Sequence, residues 1–381
     1  MKKLIYKFLS RTISDSEKEE LRNWLKDKDS YITFKRYVQD DFALTSMINT
    51  INEEEAFANV LNKINDTPVY KLKPWYNSKI IKYAATVIIF VSIGYLFFNR
   101  NQVEETTPII VNNNIETIKS KAILTLEDGS TIILGKGEKY SAKNVKAQDE
   151  ELVYTKLDAP KNEQVFNVLT VPRGGEFYVK LSDETEIWLN ADSKIKYPSS
   201  FIDGQSREIE LVYGEAYFKV SSSSKHKGAK FRVNSPNQEV EVLGTEFNIK
   251  AYPDESNIYT TLVEGSIALS ANGAKRTLIP SEMATFNVKD KQLEVKKVDV
   301  FDEVSWRKNL FSFRSKPLKD IMKVLSRWYD MDVIFKQDSI KETKFVGVLD
   351  KKQDIEELVE NLKDLGVINA YEIHDKTLIL K

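Results

Sequence analysis

The sequence has no cysteine and only two histidines in 381 residues. Without cysteine no disulfide can form, so any exported part must hold itself together by burying a core. His226, in "SSSSKHKGAK", and His374, near the C-terminus, are too few for a histidine metal cluster or a Ser-His-Asp arrangement. There is no P-loop, and no GxGxxG follows a predicted strand. Neither sign of charge dominates, with 56 Lys and Arg against 57 Asp and Glu, so the excess that marks a nucleic-acid binder is missing. Carboxylates are plentiful enough to hide a glycosidase pair, but no feature singles one out. These absences point away from an enzyme, a metal or a cofactor and leave protein partners as the expectation.

The sequence does contain one long apolar run. "IIKYAATVIIFVSIGYLFF", Ile80 to Phe98, has Lys82 as its only charge. At ~1.5 Å per residue a helix of this length reaches roughly 28 Å, close to the ~30 Å hydrocarbon core of a bilayer. Lys82 stands at its edge, where a long side chain reaches the headgroups, and Tyr83 and Tyr95 stand near its two ends. The run reads as a single transmembrane helix in contact with lipid. Lys71, Lys73, Lys79 and Lys82 precede or enter it, whereas Arg100 is followed by Glu104 and Glu105. Positive residues stay inside, which predicts a cytoplasmic N-terminus and an exported C-terminal region. Lys7 and Arg11 come too early in "MKKLIYKFLSRT" for the apolar core of a signal peptide, so the internal span is expected to act as the export signal.

The segment before the span reads as a small all-α bundle over residues 1–70, with 71–79 as a linker broken by Pro74. Ser14 with Glu17, or Ser16 with Glu19, fits a capping box. Leu21, Trp24 and Leu25 form one apolar face, Tyr31, Phe34, Val38 and Phe42 a second, and Phe57, Val60, Leu61 and Ile64 a third. So short a chain barely covers such faces. They either fill the bundle core or dock a partner helix, and the two uses are compatible.

After a linker over 99–120, the period changes from helical to alternating. Residues 121–300 read as an all-β repetitive domain, solenoid-like or sandwich-like. "LEDGSTIIL" from Leu126 resembles "LSDETEIWL" from Leu181, and "LVYGEAYFKV" from Leu211 resembles "LVEGSIALSA" from Leu262. Gly214 and Gly265 take the same place in the second pair, where a bulge or tight turn is expected. "VPRGGEFYV" reads as a turn before a strand, with a glycine anion nest as the alternative. Residues 306–381 read as an α+β module: "LFSF", a helix starting at Pro317, "MDVIF", "KFVGVLD", a helix stopped by Gly366, and a hairpin turned at His374 to Lys376. The order is βαβ, then βαβ with an added strand, with two helices on one small sheet.

Taken together, the small inner bundle, the single span, and "TVPRGGEFYVKLSDETEIWLNADSKIKYPSSF…ELVYGEAYFKV…VEVLGTEFNIKAYPDE…TTLVEGSIAL" resemble the FecR-like transmembrane anti-sigma factors of the Bacteroidetes type. The tail "WRKNLFSFRSKPLKDIMKVLSRWYDMDVIF…FVGVLD" is similar to the short N-terminal module of secretins and TonB-dependent receptors. The resemblance implies an inner-membrane, single-pass protein with its C-terminal region in the periplasm. It further implies that the inner bundle binds an extracytoplasmic-function sigma factor, with Leu21, Trp24, Leu25, Phe34 and Val38 as candidate contacts. The periplasmic region would receive a signal from the signalling domain of a TonB-dependent outer-membrane transducer. Some members of that family cut themselves at a Gly-Thr bond, which here would be Gly244–Thr245 in "VEVLGTEFNI". The alternative at this position is a bulge at Gly244 followed by an ordinary strand residue. A rival class, a membrane-anchored periplasmic glycan-binding module or glycosidase, leaves the structured inner segment without a purpose.

The orientation generates the first prediction. A reporter active only outside the cytoplasm is expected to work when fused after Arg100 and to fail when fused before Lys79; the reverse pattern would overturn the topology.

Overall fold

The structure is a computed structural model, and it describes Leu4, residues 14–25, Phe34, residues 109–113, Ile115, residues 121–156 and residues 164–381. The chain divides into two compact units, Met1–Pro108 and Ile109–Lys381.

In the first unit α1 spans Asp15–Trp24 and starts at the expected capping box: the Glu17 amide donates to Ser14 Oγ, and the Glu17 carboxylate accepts from the Ser14 amide at 2.9 Å. Two of the four otherwise unpaired N–H groups of the first turn are thereby satisfied. Leu21 and Phe34 are fully buried, while Trp24 and Leu25 are half-buried. Val38, the third apolar face and the run Ile80–Phe98 lie outside the described residues. Among the described residues no helix is long and apolar enough to cross a membrane.

The second unit begins with β1 (Ile109–Asn113), followed by an all-β domain of eighteen strands. These are β2 (Lys121–Thr125), β3 (Thr131–Gly135), β4 (Lys139–Ala142), β5 (Val145–Gln148), β6 (Glu151–Tyr154), β7 (Phe166–Val171), β8 (Phe177–Lys180), β9 (Glu186–Leu189) and β10 (Ser193–Pro198). The long β11 (Arg207–Lys219) follows, then β12 (Phe231–Ser235), β13 (Gln238–Val242), β14 (Glu246–Ala251), β15 (Asn257–Glu264), β16 (Ile267–Ala271), β17 (Ala274–Leu278), β18 (Glu282–Asn287) and β19 (Leu293–Lys297). Successive hairpins are laid down alternately in two sheets. One runs β3-β2-β7-β10-β11-β12-β13-β16-β17. The other runs β4-β5-β6-β8-β9-β11-β14-β15-β18-β19. Alternation along each strand sends every second side chain inward, as in β13, where Gln238, Val240 and Val242 are buried and Glu239 and Glu241 are not. Leu124, Leu169 and Val233 from one sheet and Val179, Ile187 and Phe247 from the other share a single core. The domain is therefore a repetitive sandwich, of the two architectures expected.

The internal repeats have a structural meaning. In both "LEDGS" and "LSDET" the leucine amide donates to the carbonyl of the residue four on (Leu126 to Ser130, Leu181 to Thr185), and an aspartate caps the turn. Gly214 and Gly265 mark places where the chain changes sheet. β11 pairs with β10 up to Tyr213 and with β14 from Gly214 onward, so one strand serves both sheets. Gly214 has φ +102, and a Cβ there would lie 2.4 Å from Ser193 Cα.

The α+β domain consists of α2 (Val300–Val304), β20 (Leu310–Pro317), α3 (Leu318–Trp328), β21 (Asp332–Phe335), β22 (Lys344–Asp350), α4 (Ile355–Asp364), β23 (Tyr371–Asp375) and β24 (Thr377–Leu380). Helices, strands and the closing hairpin fall where the sequence placed them, but the strands do not make one sheet. Among the described residues β20 pairs only with β22, while β21, β24 and β23 form a second sheet whose fourth strand is β1. The stretch 99–120, expected to be linker throughout, thus contains a strand of the last domain. A five-residue edge strand has too little periodicity to stand out between masking polar residues. Ile115 follows β1 into the core of this domain, beside residues from 311 to 380.

Crossing between sheets makes Gly214 the position least tolerant of a side chain. Gly214→Ala is expected to lower unfolding stability by more than about 3 kcal/mol. Gly129→Ala, with φ +80 but open space around it, is expected to cost about 1 kcal/mol. Denaturant unfolding of the purified variants measures both, and equal losses would refute the crossing-point account.

Candidate functional site

The β-sandwich and the α+β domain keep separate hydrophobic cores, and the seam between them is built from charges and aromatic rings. Its first element is the loop joining β7 to β8, "VPRGGEF". Helices end with carbonyls that have no intrahelical partner and a partial negative charge. The loop supplies what the end of α3 needs: the Gly174 amide donates to the Arg327 carbonyl at 2.7 Å, and Arg173 donates to the carbonyls of Ser326, at 3.0 Å, and Met331. Arg173 also lies 3.3 Å from Asp332 and 3.7 Å from Asp330. Gly174 has φ +75, which turns its amide toward the helix. The expected turn is present, and its polar groups face a helix end rather than a free anion.

The second element is Arg327, on the last turn of α3. Its side chain is almost wholly buried, pairs with Asp254 at 2.5 Å and Glu255 at 2.8 Å, and lies flat on the Tyr252 ring at 3.6 Å. Lys250 holds the other side of Glu255 at 2.9 Å. Burial alone would raise the Glu255 carboxyl, but Lys250 and Arg327 outweigh it and hold the group below its ordinary value. Glu215, also buried, accepts from Asn248 and Asn190, each at 2.9 Å; burial pushes its carboxyl up.

The third element is Lys351, whose side chain has no exposure. Its ammonium pairs with Glu176 of the β7–β8 loop, donates to the Trp306 carbonyl at 3.2 Å, and sits 3.6 Å from the centre of the Trp328 ring. Burial pushes the Lys351 ammonium down and the Glu176 carboxyl up, each partly opposed by the other's charge. Arg307 completes the seam, stacked between Trp188 at 3.9 Å and Tyr217 at 3.7 Å. Such pairs return little net stability against hydrophobic packing, yet leaving one member unpaired costs ~3–5 kcal/mol. The seam therefore fixes one orientation of the two domains without merging their cores. No group of three or more potential metal ligands occurs among the described residues.

The candidates named from sequence are dispersed. Gly244 and Thr245 lie between β13 and β14, where the chain changes sheet. Thr245 is buried and its hydroxyl donates to the Ser266 carbonyl at 3.0 Å, with no imidazole or carboxylate among its partners. A Cβ on Gly244 would lie 3.0 Å from Ser222 Cα, and one on Gly265 would lie 2.8 Å from Thr245 Oγ1. Of the bundle candidates, Leu21 and Phe34 are interior and Trp24 and Leu25 reach the surface in part. The seam residues Arg173, Glu176, Arg307, Arg327 and Lys351 were not singled out from sequence. Charged residues are almost always solvated, and only the pairing of Arg and Glu around two glycines could have drawn notice.

Known proteins match this architecture domain by domain. The model of the FecR protein family matches residues 167–268, and the model of the FecR C-terminal domain matches residues 310–380. Two crystal structures of a candidate anti-sigma factor from Parabacteroides distasonis ATCC 8503 share the fold. Each is 23% identical, covers 56% of this chain and 98% of its own, and superposes with a TM-score of 0.51. No curated protein matches the chain. A FecR domain and a FecR C-terminal domain are thus matched in order, on either side of the charged seam.

Proposed function

We propose that the chain is a transmembrane anti-sigma factor. The first unit binds an extracytoplasmic-function sigma factor in the cytoplasm, Ile80–Phe98 crosses the inner membrane, and the second unit receives a signal in the periplasm. The observation that carries this reading is the match to both FecR domains in order. The division of the chain at Pro108, ten residues beyond the apolar run, supports it, since it sets the second unit apart from the run.

The partner on the periplasmic side is taken to be the signalling domain of a TonB-dependent outer-membrane transducer. β21 favours the α+β domain as its contact: among the described residues it is bonded on one side only, to β24, and Ile334 on it is exposed. An edge of this kind offers unpaired backbone groups to another strand. On the cytoplasmic side Trp24 and Leu25 supply apolar surface to a sigma factor, while Leu21 and Phe34 support the bundle from within.

Two experiments test the two ends. Deleting residues 310–381 is expected to abolish the transcriptional response to the inducing condition while the sigma factor still co-purifies with the chain; an intact response would refute the periplasmic assignment. Trp24→Ala is expected to weaken sigma-factor binding by roughly 30-fold. Unchanged binding by a variant with native helix content would remove Trp24 from the interface.

A further inference from the structure

β1 is the one strand of the α+β domain that comes from the opposite end of the folded unit. It lies parallel to β23, with Ile109 opposite Glu372, Ile110 opposite Ile373 and Val111 opposite His374, and the register breaks before Asn113. β23 is bonded to β24 on its other side, so β1 forms the edge of the sheet. Beyond it, Asn113 donates to Glu356 on α4 and accepts from the Ile115 amide at 2.9 Å, and Ile115 is buried in the domain core. Among the described residues, Ile115 is the sole member of that core that precedes residue 311.

Three features make this attachment separable from the domain it completes. The remaining strands β21, β24 and β23 stay bonded to one another without β1. The strand is five residues long, paired on one face, parallel and irregular, which is the weakest form of ladder. Among the described side chains of this segment, only that of Ile115 enters the core.

We propose that the edge of β23 is a strand-exchange site: an extended strand of a partner protein takes the place of the chain's own Ile109–Asn113. The partner strand runs parallel to β23 and carries a branched apolar residue two places beyond its end, to fill the position of Ile115. The backbone of β23 supplies the affinity, and the Ile115 position supplies the selectivity. Exchange frees Ile109–Asn113 and Ile115 from the last domain. Its use in signalling rests on the anti-sigma reading, but the exchange itself does not.

The absence of cysteine allows a direct test. Val111→Cys with His374→Cys places a single thiol pair across the β1–β23 register. The probe is a labelled synthetic peptide, PIIVNNNIE, a copy of residues 108–116. The full chain in detergent is expected to bind it when the thiols are reduced and about tenfold or more weakly when they are oxidised. Ile115→Asp, without the thiols, is expected to bind it more tightly than the wild type, with faster amide exchange over residues 109–113. Equal binding by oxidised and reduced chains, or no binding by both the reduced and the Ile115→Asp chains, would overturn the proposal. A dimer formed by the reduced chain alone would place a second copy's β1 in the site and overturn the assignment to a partner. A transcriptional response that persists with the thiols oxidised would separate the exchange from signalling and leave the anti-sigma reading standing.

Discussion

A single ammonium group holds the two domains of the second unit in register. Lys351 has no exposed surface, and against the burial that pushes its charge off stand the Glu176 carboxylate from the sandwich, the Trp306 carbonyl, and the face of Trp328. A buried cation is costly unless its partners are placed accurately. The β7–β8 loop is therefore constrained at both its ends, with Glu176 on Lys351 and Arg173 on the last carbonyls of α3. Neither domain could rotate against the other without stranding one of these groups.

The sandwich is stiff enough to serve as the fixed side of this contact. Its strands change sheet at glycines, so the two layers are joined by the covalent chain as well as by their common core. Asp183 shows how local turns feed the whole. It caps the β8–β9 turn through Thr185 and also forms a fully buried pair with Arg207 at 2.7 Å, at the start of β11. The seam side chains Glu176, Trp188, Glu215 and Tyr217 stand on β9 and β11 or beside them, on this doubly anchored framework.

Much of this was legible in the sequence, and for physical reasons. Alternation in "AILTLEDGSTIIL" and the 3.6-residue spacing of Leu318, Ile321, Leu325 and Trp328 report burial directly, and both became the elements expected. The repeated "LxDxx" turns were visible because turn geometry depends on few residues. What stayed hidden depends on distance. Lys351 looks like any surface lysine in "LDKKQD", Arg327 like a helix-face arginine, and "PIIVNNN" like a linker, until residues 175, 73 and 263 positions away are brought beside them. The split of the α+β strands into two sheets was also invisible, since βαβ order does not state which strands pair.

The central claim is that charge pairing, rather than shared apolar burial, orients the two domains. A double-mutant cycle on Glu176→Gln and Lys351→Met tests it most directly, with urea unfolding followed through the tryptophan emission to which Trp306 and Trp328 contribute. The account predicts that each single change costs ~3–5 kcal/mol and that the double change costs clearly less than their sum, by about 2 kcal/mol or more. Strictly additive losses would contradict it, because they would mean that the two groups stabilise their own domains and do not act on each other.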